Sequence, residues 1–372
     1  MGATLSNSCI SHLNKIERMS LCLICKEREA DKKNAHLIPW FLIKKYITYE
    51  GSGQRDMELS FTVNPRDFTK VYTGRSVLPE NIEEFTELSD LQKEKNNPYS
   101  RDNLLCHECE AKLSRIEAIF ASQFSEKSII TAYSSKLDKI NCQLVYTNTN
   151  YSFSLYELLV QSIFYRCSIG KFGGILLNPN IKHGIEENLR EAFKINGFKK
   201  IKPTDIVPLK NIYPIITSIL HETEEKDTTE GFILSNISRI PYFIMSGRWI
   251  FQLFEHEKHL KNPNEWLYGL SSKVIVKEAF AKIKNISHLL LLEKELSELI
   301  SKNIVEYIAS QKITGLQKNI RDLHFHIFKH KPSDFISKYI YQQYFVHLGQ
   351  EKAEFESLVL AFLDLKKFAN KE

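Results

Sequence analysis

Two cysteine pairs, Cys22-x2-Cys25 and Cys106-x2-Cys109, carry the most specific chemical pattern in this sequence. One tight turn presents two thiolates, and a second such turn completes a tetrahedral S4 site with metal–sulfur bonds of about 2.3 Å. The pairs predict Zn2+, structural in kind, because four thiolates leave no open position for water. Between them lies Ala35-His36-Leu37-Ile38-Pro39, and Asn103-Leu104-Leu105 runs directly into the second pair, with Glu110 just after it. A metal closing the two pairs would gather His36, Asn103 and Glu110 in one locality. A neutral imidazole takes a proton near pH 7, and a carboxylate suits Mg2+ or Mn2+, which prefer oxygen ligands. A base beside such a cation is what phosphodiester hydrolysis needs.

This arrangement resembles the zinc-containing HNH (ββα-metal) endonuclease family. It is more similar still to a group of bacterial HNH-like proteins with a Ser-His-Ile-Ile-Pro segment after the first pair and Leu-Leu-Cys-x-x-Cys-Glu at the second. The matching residues are His36, Pro39, Leu104, Leu105, Cys106, Cys109, Glu110 and, further along the helix, Glu117. Ser162-Ile163-Phe164-Tyr165-Arg166 and Glu187-Asn188-Leu189-Arg190 resemble the helical part of that group. The resemblance implies a divalent-metal-dependent DNA endonuclease with His36 as general base, Asn103 orienting it and Glu110 holding Mg2+ or Mn2+. By analogy it implies a place in defence against phage. Arg101, Lys112 and Arg115 flank these residues and are the expected phosphate contacts. Two positions depart from the family pattern. Ala35 stands where many members carry a metal-binding aspartate, and Glu110 where they carry histidine. Asp56 and Asp67 of the intervening segment are the candidates for replacing the missing ligand. The alternative reading is an HNH-like module that has lost catalysis and serves as a nucleic-acid- or protein-binding scaffold.

The elements that must position these residues follow from periodicity. Trp40 to Ile47 is expected to form a short helix and Met57 to Val63 a strand, while Glu110 to Phe124 carries apolar residues at helical spacing. Tyr151 to Ser168 and Ile181 to Asn196 are expected helices, Gln143 to Tyr146 a strand. Pro241 to Met245, a Ser246-Gly247 turn and Trp249 to Phe254 form a β-hairpin pattern. Ser287 to Ser310 and Phe355 to Phe368 are expected to be helical. The fold class is therefore α+β. Residues 1–19 are an extension, 20–125 a zinc-stabilised ββα module, 126–150 a connector, and 151–372 a larger, mostly helical domain with a hairpin, suited to sensing, partner binding or homo-oligomerisation. Met1-Gly2-Ala3-Thr4-Leu5-Ser6 fits a bare myristoylation pattern and is read as accidental.

Composition sets the frame around this reading. The 372 residues are 43% hydrophobic and 26% charged, which permits a sizeable core. A net charge of +5 allows a nucleic-acid partner without arguing for one. No apolar run reaches membrane-spanning length, and seven cysteines in this pattern fit metal binding in a reducing, cytoplasmic setting better than a disulfide framework. His256-Glu257-Lys258-His259 lacks the zincin spacing, and His326 with His330 is read as an ordinary surface pair.

Overall fold

The computed structural model describes residues 20–47, 59–64, 68–73, 99–123, 137–140, 143–148, 152–220, 232–235, 241–261, 287–292, 294–350 and 354–369. Asp56, Asp67, the extension and most of the 126–150 connector lie outside the described residues. The chain divides into two compact units, residues 1–303 and 304–372.

In the first unit a two-residue strand β1 (Ala35–His36) leads into α1 (Trp40–Ile47) and pairs antiparallel with β4 (Ser100–Arg101). Strands β2 (Leu59–Asn64) and β3 (Phe68–Thr73) come from the segment between the cysteine pairs, and α2 (His107–Gln123) follows the second pair. Next come β5 (Leu137–Ile140), β6 (Gln143–Asn148), α3 (Phe153–Ile169) and α4 (Pro179–Phe193). Strands β7 (Ile215–Ile219), β8 (Phe232–Ser235), β9 (Tyr242–Ser246), β10 (Trp249–Leu253) and β11 (Ser287–Leu292) complete a nine-stranded mixed sheet, ordered β3-β2-β8-β9-β10-β7-β11-β6-β5. It is antiparallel except where β11 meets β7 and β2 meets β8.

The α+β class is observed, and helix predominates after residue 151 among the described residues, but that segment holds more strand than the expected hairpin. Five of the nine sheet strands come from it. Ser287–Leu292 is a strand, and helix begins only at Lys294. A run of four leucines fits a buried strand as well as a helix, so period alone cannot decide it. The expected hairpin of β9 and β10 is observed, with Trp249 opposite Ser246, so the two-residue loop is Gly247-Arg248, one residue later than the expected Ser246-Gly247 turn, and Gly247 has φ +53°. That left-handed φ is what a primed hairpin turn requires at its first position.

The helices start where their sequences provide caps. Ser152 accepts from the Leu155 N–H at 3.2 Å, and Asn178 precedes Pro179 at the first turn of α4. One continuous core joins the cysteine module to the rest of the unit. Cys22, Ile24, Leu37, Leu105 and Leu113 belong to the same cluster as Leu158 and Ile163 of α3, Leu189 of α4 and Phe251 of β10. The expected boundary at 126–150 thus falls within a single unit. A buried polar network ties α3 and α4 to the segment leading into β7. Asn188 donates to Gln161 Oε1 at 2.9 Å, and Gln161 donates to Glu157 Oε1 at 3.0 Å.

The C-cap of α3 shows how closely the helix abuts β1. A Cβ on Gly170 would stand 2.4 Å from the buried Leu37 side chain. The φ of Gly170 is an ordinary −81°, so close approach, not backbone conformation, asks for glycine here. Gly170→Ala is expected to cost about 1–3 kcal/mol by overpacking, read as a shift in the urea midpoint at unchanged slope. An unshifted midpoint would show that Leu37 yields freely.

In the second unit, the end of α5 (Lys294–Phe328) packs with α6 (Asp334–Leu348) and α7 (Glu354–Ala369) around Ile320, Ile340, Tyr344, Ala361 and Phe362. His347 Nε2 meets Asp364 Oδ2 at 2.7 Å, linking α6 to α7. Among the described residues no helix is long and apolar enough to cross a membrane.

Candidate metal centre and the adjoining site

The two cysteine turns are built by short-range backbone bonds. Lys26, at φ +58°, donates its N–H to Cys22 O at 2.9 Å and closes the first turn. The second forms at the start of α2, where the Cys109 N–H reaches Cys106 Sγ at 3.4 Å. Asp31 caps that helix by accepting from the His107 N–H at 3.0 Å, and Glu108 and Glu110 place acidic charge in its first turn. Further bonds hold the turns together. Leu23 N–H donates to Leu104 O at 3.1 Å and Lys32 N–H to Leu105 O at 3.0 Å.

The result is one group of four sulfurs, all within 4.8 Å of one another, that could hold a metal ion. Cys25 and Cys106 Sγ are 3.9 Å apart. A regular tetrahedron with 2.3 Å bonds has edges of about 3.8 Å, so the set is compatible with zinc. Cys22, Cys106 and Cys109 are buried and Cys25 half-buried. A hydrogen bond from Cys109 draws the Cys22 thiol pKa down to about 4, and the same contact raises that of Cys109. Proton sharing of this kind makes thiolate available to a soft cation. Arg28 places its guanidinium against the Cys106 sulfur.

Helices α3 and α4 dock onto the first turn. Tyr165 donates its hydroxyl to Leu23 O at 2.7 Å, and Arg190 Nε donates to Ile24 O at 3.2 Å. Arg190 also pairs with Glu186, which meets Lys26 at 2.5 Å.

The turns bring His36 and Glu110 together. Leu37 N–H donates to Tyr99 O at 2.8 Å, on the β4 side of the chain. Strand alternation turns the N–H and C=O of His36 to the opposite edge. There two side chains stand in for a neighbouring strand. Glu110 accepts from the His36 N–H, and Arg166 of α3 donates through Nη1 to His36 O at 2.8 Å. Arg166 Nη2 lies 2.7 Å from Glu117 Oε1. That contact is an ion pair off the hydrogen-bond line, since neither atom has an aligned hydrogen-bond partner. Glu110 Oε2 is buried without a hydrogen-bond partner. Burial pushes the Glu110 carboxyl up, with Arg166 and Lys32 pulling it down and Glu117 adding to the rise. The imidazole of His36 lies 5.5 Å from the Trp40 ring, centre to centre, and is half-buried.

Other expected site residues have different employment. Asn103 is exposed, at φ +57°, and meets its neighbours through its backbone, with its N–H on Lys32 O at 2.9 Å. It turns the chain into the second cysteine pair and does not orient His36. Lys112 donates to Phe193 O at 2.7 Å, capping the last turn of α4, and Arg115 donates to Ile201 O at 2.6 Å. Both are buttresses between α2 and the segment around α4 and are not available as phosphate contacts in this geometry. Arg101 is half-buried opposite Ala35, its Nη1 on Ser100 O at 2.8 Å.

Sequence reasoning gave Arg166 no role of its own and passed over Lys32. A signal existed for the first, because Arg166 and Glu157 are the only charged residues in the seventeen of α3. Comparison with family models, with curated proteins and with solved structures finds no match for this chain, so the site is read from its own residues.

Proposed function

We propose that this chain is a divalent-metal-dependent DNA endonuclease of HNH type, in which structural zinc on the four cysteines holds a hydrolytic site at His36 and Glu110. One observation carries the reading. Glu110 lies at the His36 N–H, and its Oε2 is buried without a hydrogen-bond partner. A buried, unsatisfied carboxylate oxygen is costly unless something neutralises it. Glu110 Oε2 is an oxygen donor of the kind Mg2+ or Mn2+ takes, and such ions are commonly held by one or two carboxylates with water and substrate phosphate.

When bound, the cation would stabilise charge developing on the phosphate and on the leaving oxygen. His36 accepts a proton from the attacking water as its oxygen bonds to phosphorus. The bond from phosphorus to the departing deoxyribose oxygen breaks, and that oxygen takes a proton from solvent. Arg101, opposite Ala35 on β4, is the cation best placed by register to meet a neighbouring phosphate. Ala35 ligates nothing, so among the described residues Glu110 is the one that would hold the cation.

The test is cleavage of supercoiled plasmid by zinc-loaded protein with Mn2+ or Mg2+, against EDTA. Glu110→Gln keeps the size of the side chain and removes its charge. It is expected to lower the nicking rate at least 100-fold, within the range expected when electrostatic stabilisation is lost. Equal nicking by the variant would remove Glu110 from the site. No nicking by the wild-type protein would leave the zinc module a scaffold.

A further inference from the structure

We infer that Arg166 is the positioning residue of this site, a built-in cation that fixes the His36 backbone and keeps Glu117 out of metal binding. The inference rests on the reading above. Its ground is a fully buried guanidinium, 1% exposed, that reaches two separate parts of the site from a helix remote in sequence. Nη1 holds His36 O at 2.8 Å, Nη2 faces Glu117 Oε1 at 2.7 Å, and Nε rests on Ser162 O of its own helix at 3.3 Å.

Burying an arginine is expensive unless every direction of its fork is answered. If its work were only to join α3 to the module, apolar packing would serve as well, and Leu37 against Gly170 already supplies it one turn away. What Arg166 adds is control of one peptide unit. His36 is held at its N–H by Glu110 and at its C=O by Arg166. The direction in which the imidazole leaves the chain is thereby set by the same two charges that define the electrostatics of the site. Glu117, two turns along α2 from Glu110, would otherwise offer a second buried carboxylate to a cation. Paired with Arg166, it is charge-compensated, and among the described residues Glu110 is left as the carboxylate that would face a cation.

The planar fork spans both acceptors, whereas a lysine ammonium is a point charge that can favour only one. Arg166→Met, Arg166→Lys and Glu117→Gln are therefore compared in the full-length, zinc-loaded chain. The first readout is the ring signal of His36 in protein carrying 13C-labelled histidine, assigned with His36→Ala. The second is plasmid nicking in Mn2+, resolved into kcat and KM. Arg166→Met is expected to move or broaden the His36 signal and to lower kcat at least 30-fold with KM within threefold of wild type. Arg166→Lys should restore part of both, and Glu117→Gln should give an intermediate loss. If Arg166→Met does not fold, Arg166→Lys and Glu117→Gln carry the test, each with at least a fivefold fall in kcat and a displaced His36 signal. An unmoved His36 signal with kcat within twofold of wild type in the folded variants would overturn the inference. A displaced signal in a chain whose wild-type form does not nick plasmid would sustain the positioning role and defeat the nuclease reading.

Discussion

Cys22→Ser should release zinc and unfold the module around it. Structural zinc contributes apparent binding free energies of about 10–16 kcal/mol in small zinc-finger peptides. Here the shared core adds to that hold, because Ile24, Leu105 and Leu113 belong to the same cluster as residues of α3 and α4. A loss of at least about 3 kcal/mol is the outcome expected when a structural ligand is removed. Metal analysis of the wild-type chain should return one zinc per group of four cysteines. A strong chelator should lower its melting temperature, and Cys106→Ser should reproduce the effect of Cys22→Ser. The consequence reaches further than stability. Cys106 and Cys109 open α2, whose next residue is Glu110, so a chain without metal should lose divalent-dependent nicking together with zinc. A zinc-free wild-type protein, or serine variants that melt with the wild type, would contradict the role given to the pairs.

His36→Ala should lower the nicking rate by about 100- to 10,000-fold, the usual contribution of a positioned general base, while leaving the fold nearly intact. The separation is unusually clean at this position. The bonds that hold residue 36, from Glu110 to its N–H and from Arg166 to its C=O, are made by the backbone. Alanine keeps both. What it removes is a half-buried ring beside Trp40, a change of about 1 kcal/mol or less in stability. Nicking by the variant at the wild-type rate would take the base away from His36. A large drop in melting temperature would instead make the ring part of the core.

The parts of this molecule that spacing reveals are those made of nearby residues with one available chemistry. Cysteine pairs two residues apart can do little else together, and Glu110 inherits its place from Cys109. The hairpin at Gly247 is equally legible, since only a few turn types fit two residues. What stays hidden depends on which helix face meets which neighbour. Lys112 and Arg115 look like surface cations until the unsatisfied carbonyls at the end of α4 and beyond are seen in front of them. Asn103 has the side chain of an orienting residue, yet asparagine is also suited to left-handed φ, and the backbone uses that property. Arg166 lies 130 residues from His36, and no local pattern announces such a contact. Ser287–Leu292 reads as helix because a run of leucines has no period to betray a strand.

Direct evidence for a cation at Glu110 would test the account at its centre. Titration of the zinc-loaded chain with Mn2+, followed by electron paramagnetic resonance of the free ion, counts the sites. The expected result is one Mn2+ site beyond zinc, weakened at least tenfold in Glu110→Gln and unchanged in Glu108→Gln, whose carboxylate is engaged with Lys199 at 2.7 Å. Identical titrations of the wild-type chain and Glu110→Gln would contradict it.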